Sequence, residues 1–453
     1  MNCKSILLLS GLALASVQLG AQSSGQNFTN SPYSNFGLGE VLNTNFAQAG
    51  FQGQTFSGAY SYSFQNPATL GGLRYTTFDV GMNGRTGTIQ SNGQTRTFNG
   101  GGLSYMSLAF KTMRKNIPTY TDSAGVRKRK GARMFSWNSY LALYPSTTVG
   151  YNYTVQNDVP FKTSEAHTGK GGVNAAEYGT SMGLGKHITL GYSAAFLFGQ
   201  ISDRSLFNVP DSADFYIVDD EKSVVIRGLR QQAGVMFLFG KDSSFHRIGA
   251  SYRWYGATSA TNQRLTQVFG IGNNSFTRPD TVINIVGDKK TISMPSGFGL
   301  GYSYTWRQKI AVGFDVYQEN WSNYSAFFQQ NRKFTTRRDY GVSFTLNPMD
   351  EKPRKAKKMP VPVRLGYRYS QTQNVFNNAG VEYQISENNV YAGFAIPVVR
   401  RYYDNTVLRS MIHFRFDYTT RGTLNGGLAK EQYLMATVSF NMGDIWFQRR
   451  KFD

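Results

Sequence analysis

The stretch "SMIHFRFDYTT" constrains the fold more than any other. Ile412, Phe414, Phe416 and Tyr418 fall at alternate positions, with His413, Arg415 and Asp417 between them. Successive strand side chains point to opposite faces, so this segment has one greasy wall and one polar wall. "VPVRLGYRYSQ" repeats the pattern, with Val363, Leu365, Tyr367 and Tyr369 opposite Arg364, Gly366, Arg368 and Ser370. In "KIAVGFDVYQ", Ile310, Val312, Phe314 and Val316 oppose Ala311, Gly313 and Asp315. After the amino-terminal stretch no run of eighteen apolar residues follows, so spanning helices are not expected.

Composition decides where the greasy walls go. The 453 residues carry only 17% charged residues but 15% aromatics, with 48 Gly, 28 Tyr and 33 Phe. A soluble enzyme of this length would show amphipathic helices and about a quarter charged residues. Lipid-facing strands need aromatic girdles, and an inner wall tolerates small residues. The expected fold is therefore all-β, a transmembrane antiparallel up-and-down β-barrel of about fourteen strands. The strands are expected to centre near Thr77, Leu103, Leu143, Met182, Ala194, Met236, Tyr252, Leu300, Phe314, Phe344, Tyr367, Phe394, Phe414 and Val438.

The opening "MNCKSILLLSGLALASVQLGAQ" has Lys4, an apolar run from Ile6 to about Val17, and small residues up to Ala21. That is the layout of a secretory signal peptide cleaved near Ala21, too short to span a bilayer. Cys3, the single cysteine, lies within it, which leaves no disulfide or Cys metal site in the mature chain. The expected organisation is a signal peptide over 1–21, an amino-terminal plug (hatch) over 22–74, and the barrel over 75–453 with a short basic tail. The outer membrane of a Gram-negative bacterium, with its lipid around the barrel, is the expected location.

With the amino terminus on the periplasmic side, the outer loops are expected over 83–101, 156–176, 202–223, 258–290, 319–337 and 371–389, with tight inner turns such as "GKHI" and "TWRQKI". Two inner connections are long and basic. Residues 111–133 carry eight Lys/Arg against one Asp, and 350–364 carry six against two acids. Arg127, Lys128, Arg129, Lys130, Lys355, Lys357 and Lys358 mark this face. Much of the formal charge of +21 is thus one-sided, while residues 203–222 carry six acids against two basic residues. The confinement of charge to turns and tail, behind a signal peptide, argues against nucleic acid.

At "YSYSFQNPATLGGLRYTTFDVG" the chain resembles the FadL-type family of outer-membrane transporters for long-chain fatty acids and other hydrophobic molecules. The resemblance falls on Asn66, Pro67 and Ala68, just before the first strand, and "SPYSNFGLGE" and "DIWFQRRKFD" are similar to the Bacteroidota branch of that family. It implies a fourteen-stranded barrel filled by a plug that leads out through Asn-Pro-Ala. It also implies ligand leaving sideways where the third strand kinks inward. Pro145 in "YPSTTVGYNYTV" sits on the third strand and could interrupt it, or simply mark a bulge or strand end.

The lumen reads as two walls. Leu197, Met236 and Leu238 lie on a small, apolar side; Arg364, Arg368, His413, Arg415 and Asp417 form a charged side. Arg pairs well with carboxylate, so a fatty-acid-like ligand is one reading of the charged side and anchoring of the plug is the other. Tyr33 and Phe36 of the plug are expected to bury against the inner wall.

No catalytic residue is expected. Of His167, His187, His246 and His413 only His413 faces the lumen, and Asp417 lies ~13 Å along its strand at about 3.3 Å per residue. No Gly-x-Ser-x-Gly, His-Glu-x-x-His or phosphate loop occurs, and neither cofactor nor metal is expected. The expected function is passive uptake of hydrophobic or amphipathic small molecules through the lumen and a lateral opening. The alternative is a non-transporting barrel subunit of a larger outer-membrane assembly. Its basic inner turns would then dock an acidic periplasmic or outer-membrane protein.

Overall fold

A computed structural model of the chain describes residues 31–35, 37–41, 50–115, 119–121, 127–129, 135–157, 163–208, 215–241, 243–272, 275–276, 280–324, 333–347, 361–378, 380–401 and 407–444. Fourteen antiparallel strands close into one barrel. They are β1 (Thr76–Ser91), β2 (Gln94–Lys115), β3 (Phe135–Asn157), β4 (Thr163–Leu184), β5 (Ile188–Asn208) and β6 (Phe215–Lys241). β7 runs as Ser244–Tyr255 and then Thr258–Gly272; β8 runs as Asp280–Ile292 and then Gly297–Trp306. β9 (Ile310–Asn320), β10 (Thr336–Leu346), β11 (Val363–Asn378), β12 (Val381–Arg401), β13 (Val407–Gly422) and β14 (Lys430–Asp444) complete the wall. Closure comes from β1 against β14, where Thr76 pairs with Asp444 and Gln90 with Lys430. Each of the fourteen expected strand centres falls inside its strand.

The alternation acts as anticipated, inverted relative to a soluble protein. Along β13, His413, Arg415 and Asp417 are buried in the lumen, while Phe416 and Tyr418 stand 46% and 48% exposed on the outside. Leu300, Phe314 and Leu365 continue the same outward apolar band on other strands. This band is the membrane-spanning surface. An Arg or Lys placed at its midplane would cost about 2–4 kcal/mol, which explains why the outward positions are so uniformly apolar.

The end where β1 begins and β14 ends is here called the terminal end. Its turns are tight where the sequence suggested: Lys309 N–H donates to Trp306 O at 2.9 Å, and Arg307 and Gln308 between them both take positive φ. A turn with positive φ at both central residues matches the twist of the flanking strands. The long basic connection between β2 and β3 carries a small ribbon of its own, Thr119–Thr121 paired with Arg127–Arg129. Lys130, Lys355, Lys357 and Lys358 lie outside the described residues.

The far end differs from expectation. Most of what was expected as loop continues as strand: β1 and β2 meet at an Asn92-Gly93 turn, and β4 to β6 pair out to Asn208 and Ile217. The outer parts of β7 and β8 pair with each other over Thr258–Val268. In the outer part of β8 both faces are largely exposed, so no hydrophobic alternation marks it in the sequence. β6 has 27 residues and β9 only 11, so one side of the barrel stands much taller than the other.

Inside the barrel lie the described residues that precede β1, 31–35, 37–41 and 50–75. They include a short helical turn at Pro32–Asn35, a two-residue strand at Glu40–Val41, and a second turn at Pro67–Gly72. Phe64 of this segment stacks on Tyr144 of β3 with ring centroids 5.1 Å apart. Leu38, Leu70, Leu73 and Leu197 join the same apolar cluster.

Candidate functional site

The lumen is occupied by the segment between residues 31 and 75, and side-chain size decides how. Asn66 begins the Pro67–Gly72 turn, its Oδ1 accepting the Ala68 N–H at 3.0 Å. Proline at the first position suits such a turn, because its missing N–H would be unpaired there anyway. The Asn66 amide then donates to Gln54 O at 2.9 Å and to Val235 O on β6 at 3.3 Å. Asn66, Pro67 and Ala68 are thereby fixed against the wall.

At several of these contacts the wall carries glycine. A Cβ on Gly191 would overlap Pro67 and Ala68, and one on Gly234 would overlap Asn66. Gly249, Gly299 and Gly301 give way in the same manner to Gln54, and Gly313 to Gln52. Gly191 pairs with Gly234 and Gly249 with Gly301 across neighbouring strands, so these glycines form a track from β5 to β9. Leu197 and Met236 are buried beside the track and Leu238 is half-buried. The small, apolar wall read from the sequence is the seat of the lumenal segment.

Charge surrounds the segment higher up. Arg421 of β13 donates to the Glu40 carboxylate at 2.7 Å, and Arg85 of β1 donates to it at 3.1 Å. Arg421 also donates to Glu387 at 2.8 Å, and Arg368 reaches the same Glu387 at 2.7 Å. Ser31 hydrogen-bonds to Glu431, and Tyr33, which is buried, to Ala429 O. On the opposite side Arg230 donates to Glu177 at 2.8 Å, and Tyr140 donates to the same carboxylate at 2.6 Å. Gln54 N–H meets Asp315 at 2.7 Å. Phe36 lies outside the described residues.

The charged cluster chosen from the sequence divides into separate units. Arg415 donates to Asp417 at 2.9 Å, Arg368 pairs with Glu387, and Arg364 Nη1 lies 3.3 Å from His413 Nδ1. Guanidinium has no acceptor, so His413 Nδ1 accepts. The arginines also hold the lumenal segment through its aromatic rings. Arg415 and Arg368 stand 5.0 and 5.1 Å from the Phe51 ring centre, and Arg364 stands 5.8 Å from that of Phe56. Cation–π contact of this kind contributes about 0.5–2 kcal/mol.

Cavities of about 90, 80 and 50 Å³ lie between the described residues of the segment and the wall. The first is ringed by Glu40, Arg85, Arg337, Arg368, Glu387 and Arg421. Ligand pockets for drug-sized molecules run to about 300–1,000 Å³ and are mostly apolar. These cavities are smaller than that, and the first is ringed by charged side chains.

Among the described residues the wall breaks between β2 and β3. β2 and β3 pair from Lys115–Phe135 up to Met106–Leu143, and no pairing between them continues among the described residues beyond that point. Pro145 sits immediately past it, at a register shift in which Pro145 pairs with Asn174 and Thr147 with Val173. Proline lacks the N–H that a ladder needs. From Thr147 to Tyr151 every residue is buried, so the outer part of β3 turns inward. The lumenal segment covers its freed edge: Val41 and Glu40 pair with Thr147 and Thr148. The Ser34 hydroxyl takes the Gly150 N–H at 3.0 Å and donates to Gly150 O at 2.9 Å.

The residues that sequence reasoning missed are Glu40, Arg85, Glu177, Arg230, Glu387, Arg421 and Gln54. Glu177, Arg230 and Arg421 lie on strands whose alternation was legible, at positions that a stricter reading of period two would have turned inward. Glu40 and Gln54 lie in aperiodic chain, where nothing local indicates a partner.

A family model described as BamG matches residues 4–118 and 132–453. Among solved structures the chain is similar to the Ralstonia pickettii toluene transporter TbuX at 12% identity, over 89% of this chain and 98% of that one, with a TM-score of 0.53. It is similar to a Pseudomonas aeruginosa FadL homologue at 12% identity, over 89% and 99%, with a TM-score of 0.52. For the Pseudomonas putida toluene transporter TodX the values are 13%, 89% and 99%, and 0.51. At such identities the likeness is one of fold, and the fold is the FadL-like barrel. No curated relative matches the chain by sequence.

Proposed function

The chain belongs to the BamG family, and within that frame we propose that it is an outer-membrane barrel with a closed lumen that serves as a subunit of a larger assembly. The observation that carries this reading is the seating of the lumenal segment. It lies in a glycine track, is tied by Glu40 to two wall arginines, and leaves beside Glu40 a cavity of only about 90 Å³ that charged side chains ring. Such a segment acts as a plug. A barrel so filled offers its rims as working surfaces. On the terminal, periplasmic rim the basic connections around Arg127–Arg129 and Lys355–Lys358 suit an acidic protein partner.

Neutralising Arg127–Lys130 and purifying the protein gently from its native membrane tests this. Loss of co-purifying partners, with the barrel still folded, is expected. An unchanged set of partners would remove the docking role.

A second reading, passive uptake of hydrophobic or amphipathic molecules, draws on the break between β2 and β3 beside Pro145. The toluene transporters named above have the same fold. In this reading ligand would leave sideways at the break, and a fatty-acid-like molecule is one candidate. Its test is mass spectrometry of lipid retained by the purified barrel, together with uptake by cells lacking the protein. Absence of both a bound hydrophobic molecule and an uptake defect would count against it.

A further inference from the structure

The cavity of about 50 Å³ at the terminal end lies under Phe56 and Tyr60 and is lined by Gln52, Arg247, Arg364, His413 and Asn441. Two of its donors are buried without an acceptor. Arg364 is 7% exposed and its Nε has no partner; Gln52 is 7% exposed and its Nε2 has none. Arg415, the neighbouring guanidinium, already has Asp417. Arg364 has only the His413 ring nitrogen and the Phe56 face, neither of which carries negative charge. No carboxylate of the described residues pairs with it. Burying an uncompensated cation is costly, and so is leaving an amide donor unpaired. At about 10–15 Å³ per water the space holds a few waters or one small anion.

We propose that this cavity is a binding site for a carboxylate group, held by Arg364 and by the Gln52 amide. Guanidinium and amide N–H groups offer donors to two oxygens at once, which suits a carboxylate better than a spherical ion. The space accepts a head group only, so the carboxylate is either a small free acid or the end of a longer molecule whose chain stays outside. Occupancy would also tie residue 52 of the plug to β11. The proposal rests on neither reading of the protein's function, since it concerns charge compensation at one end of the lumen.

The experiment is thermal unfolding of the full chain in mild detergent, at constant ionic strength, with formate, octanoate or chloride added to a bulky sulfonate buffer. Formate is expected to raise the melting temperature saturably, and Arg364→Gln to weaken its apparent affinity at least tenfold. Gln52→Glu places a carboxylate in the same space and is expected to raise the melting temperature without formate and abolish the response to it. If octanoate matches formate, the source is a chain-bearing acid; if only formate acts, it is a small free acid. A response to chloride equal to that to formate would overturn the proposal. So would a formate response that survives Arg364→Gln and Gln52→Glu alike, or no formate response in the unaltered protein.

Discussion

Glu40, in the lumenal segment, and Arg421, on β13, meet at 2.7 Å in the interior of the barrel, 381 positions apart in the chain. The same carboxylate is held by Arg85 on β1. Arg421 retains Glu387 and Glu431 when Glu40 is altered, whereas Arg85 has no second ion pair among the described residues. Glu40→Gln is therefore expected to destabilise the folded protein by about 3 kcal/mol, the usual cost of stripping one partner from a buried pair. Urea titration followed by loss of the compact band in electrophoresis measures it.

The glycine track makes a steric prediction. Gly234→Val would drive a side chain into Asn66, whereas Gly84 has open space around its missing Cβ. Overpacking of this kind costs about 1–3 kcal/mol. Gly234→Val should lower the temperature at which the barrel loses its folded electrophoretic mobility, and Gly84→Val should leave it in place.

Ser34 closes the freed edge of β3 by serving both backbone groups of Gly150. With Ser34→Ala those groups lose their partner, at about 1–3 kcal/mol for a buried polar group left unpaired. Hydrogen exchange should quicken at Gly150 and its neighbours while the β3–β4 ladder stays protected. If exchange there did not change, Ser34 would not be what closes the edge.

Acid dependence is expected at the far end. Burial pushes the Asp220 carboxyl up, but hydrogen bonds from Arg264, Lys222 and Thr266 outweigh it and hold the group at about 2. An unfolded Asp titrates near 3.9. Its folded value is the lower one, so its stabilising contribution is complete above about pH 4 and fades as pH falls toward 2. Proteolysis of the outer parts of β6 and β7 should rise over that window, and Asp220→Asn should show the higher susceptibility already at neutral pH.

The sequence showed the fold well and the site only in part, for physical reasons. The lipid forces period-two alternation, so Phe414, Phe416 and Tyr418 declared both strand and outward face without help from other parts of the chain. Above the membrane that force is absent, and Val282 and Val286 stand 62% and 75% exposed on strand that had been expected as loop. Asn66–Pro67–Ala68 was visible because its turn chemistry is local. Glu40 was not, because its meaning lies in Arg85 and Arg421. Likewise Gly313 reads as small and inward, but only Gln52 of the lumenal segment explains why it is glycine.

Arg85 and Arg421 stand on either side of the seam where β14 meets β1, since β13 pairs with β14 and β14 with β1. Glu40 therefore bridges the first strand of the wall and the one next to its last. While the chain is still being folded and the seam is open, that carboxylate has only half of its partners. Zipping β1 to β14 completes that set, so closure of the seam and the seating of Glu40 strengthen one another.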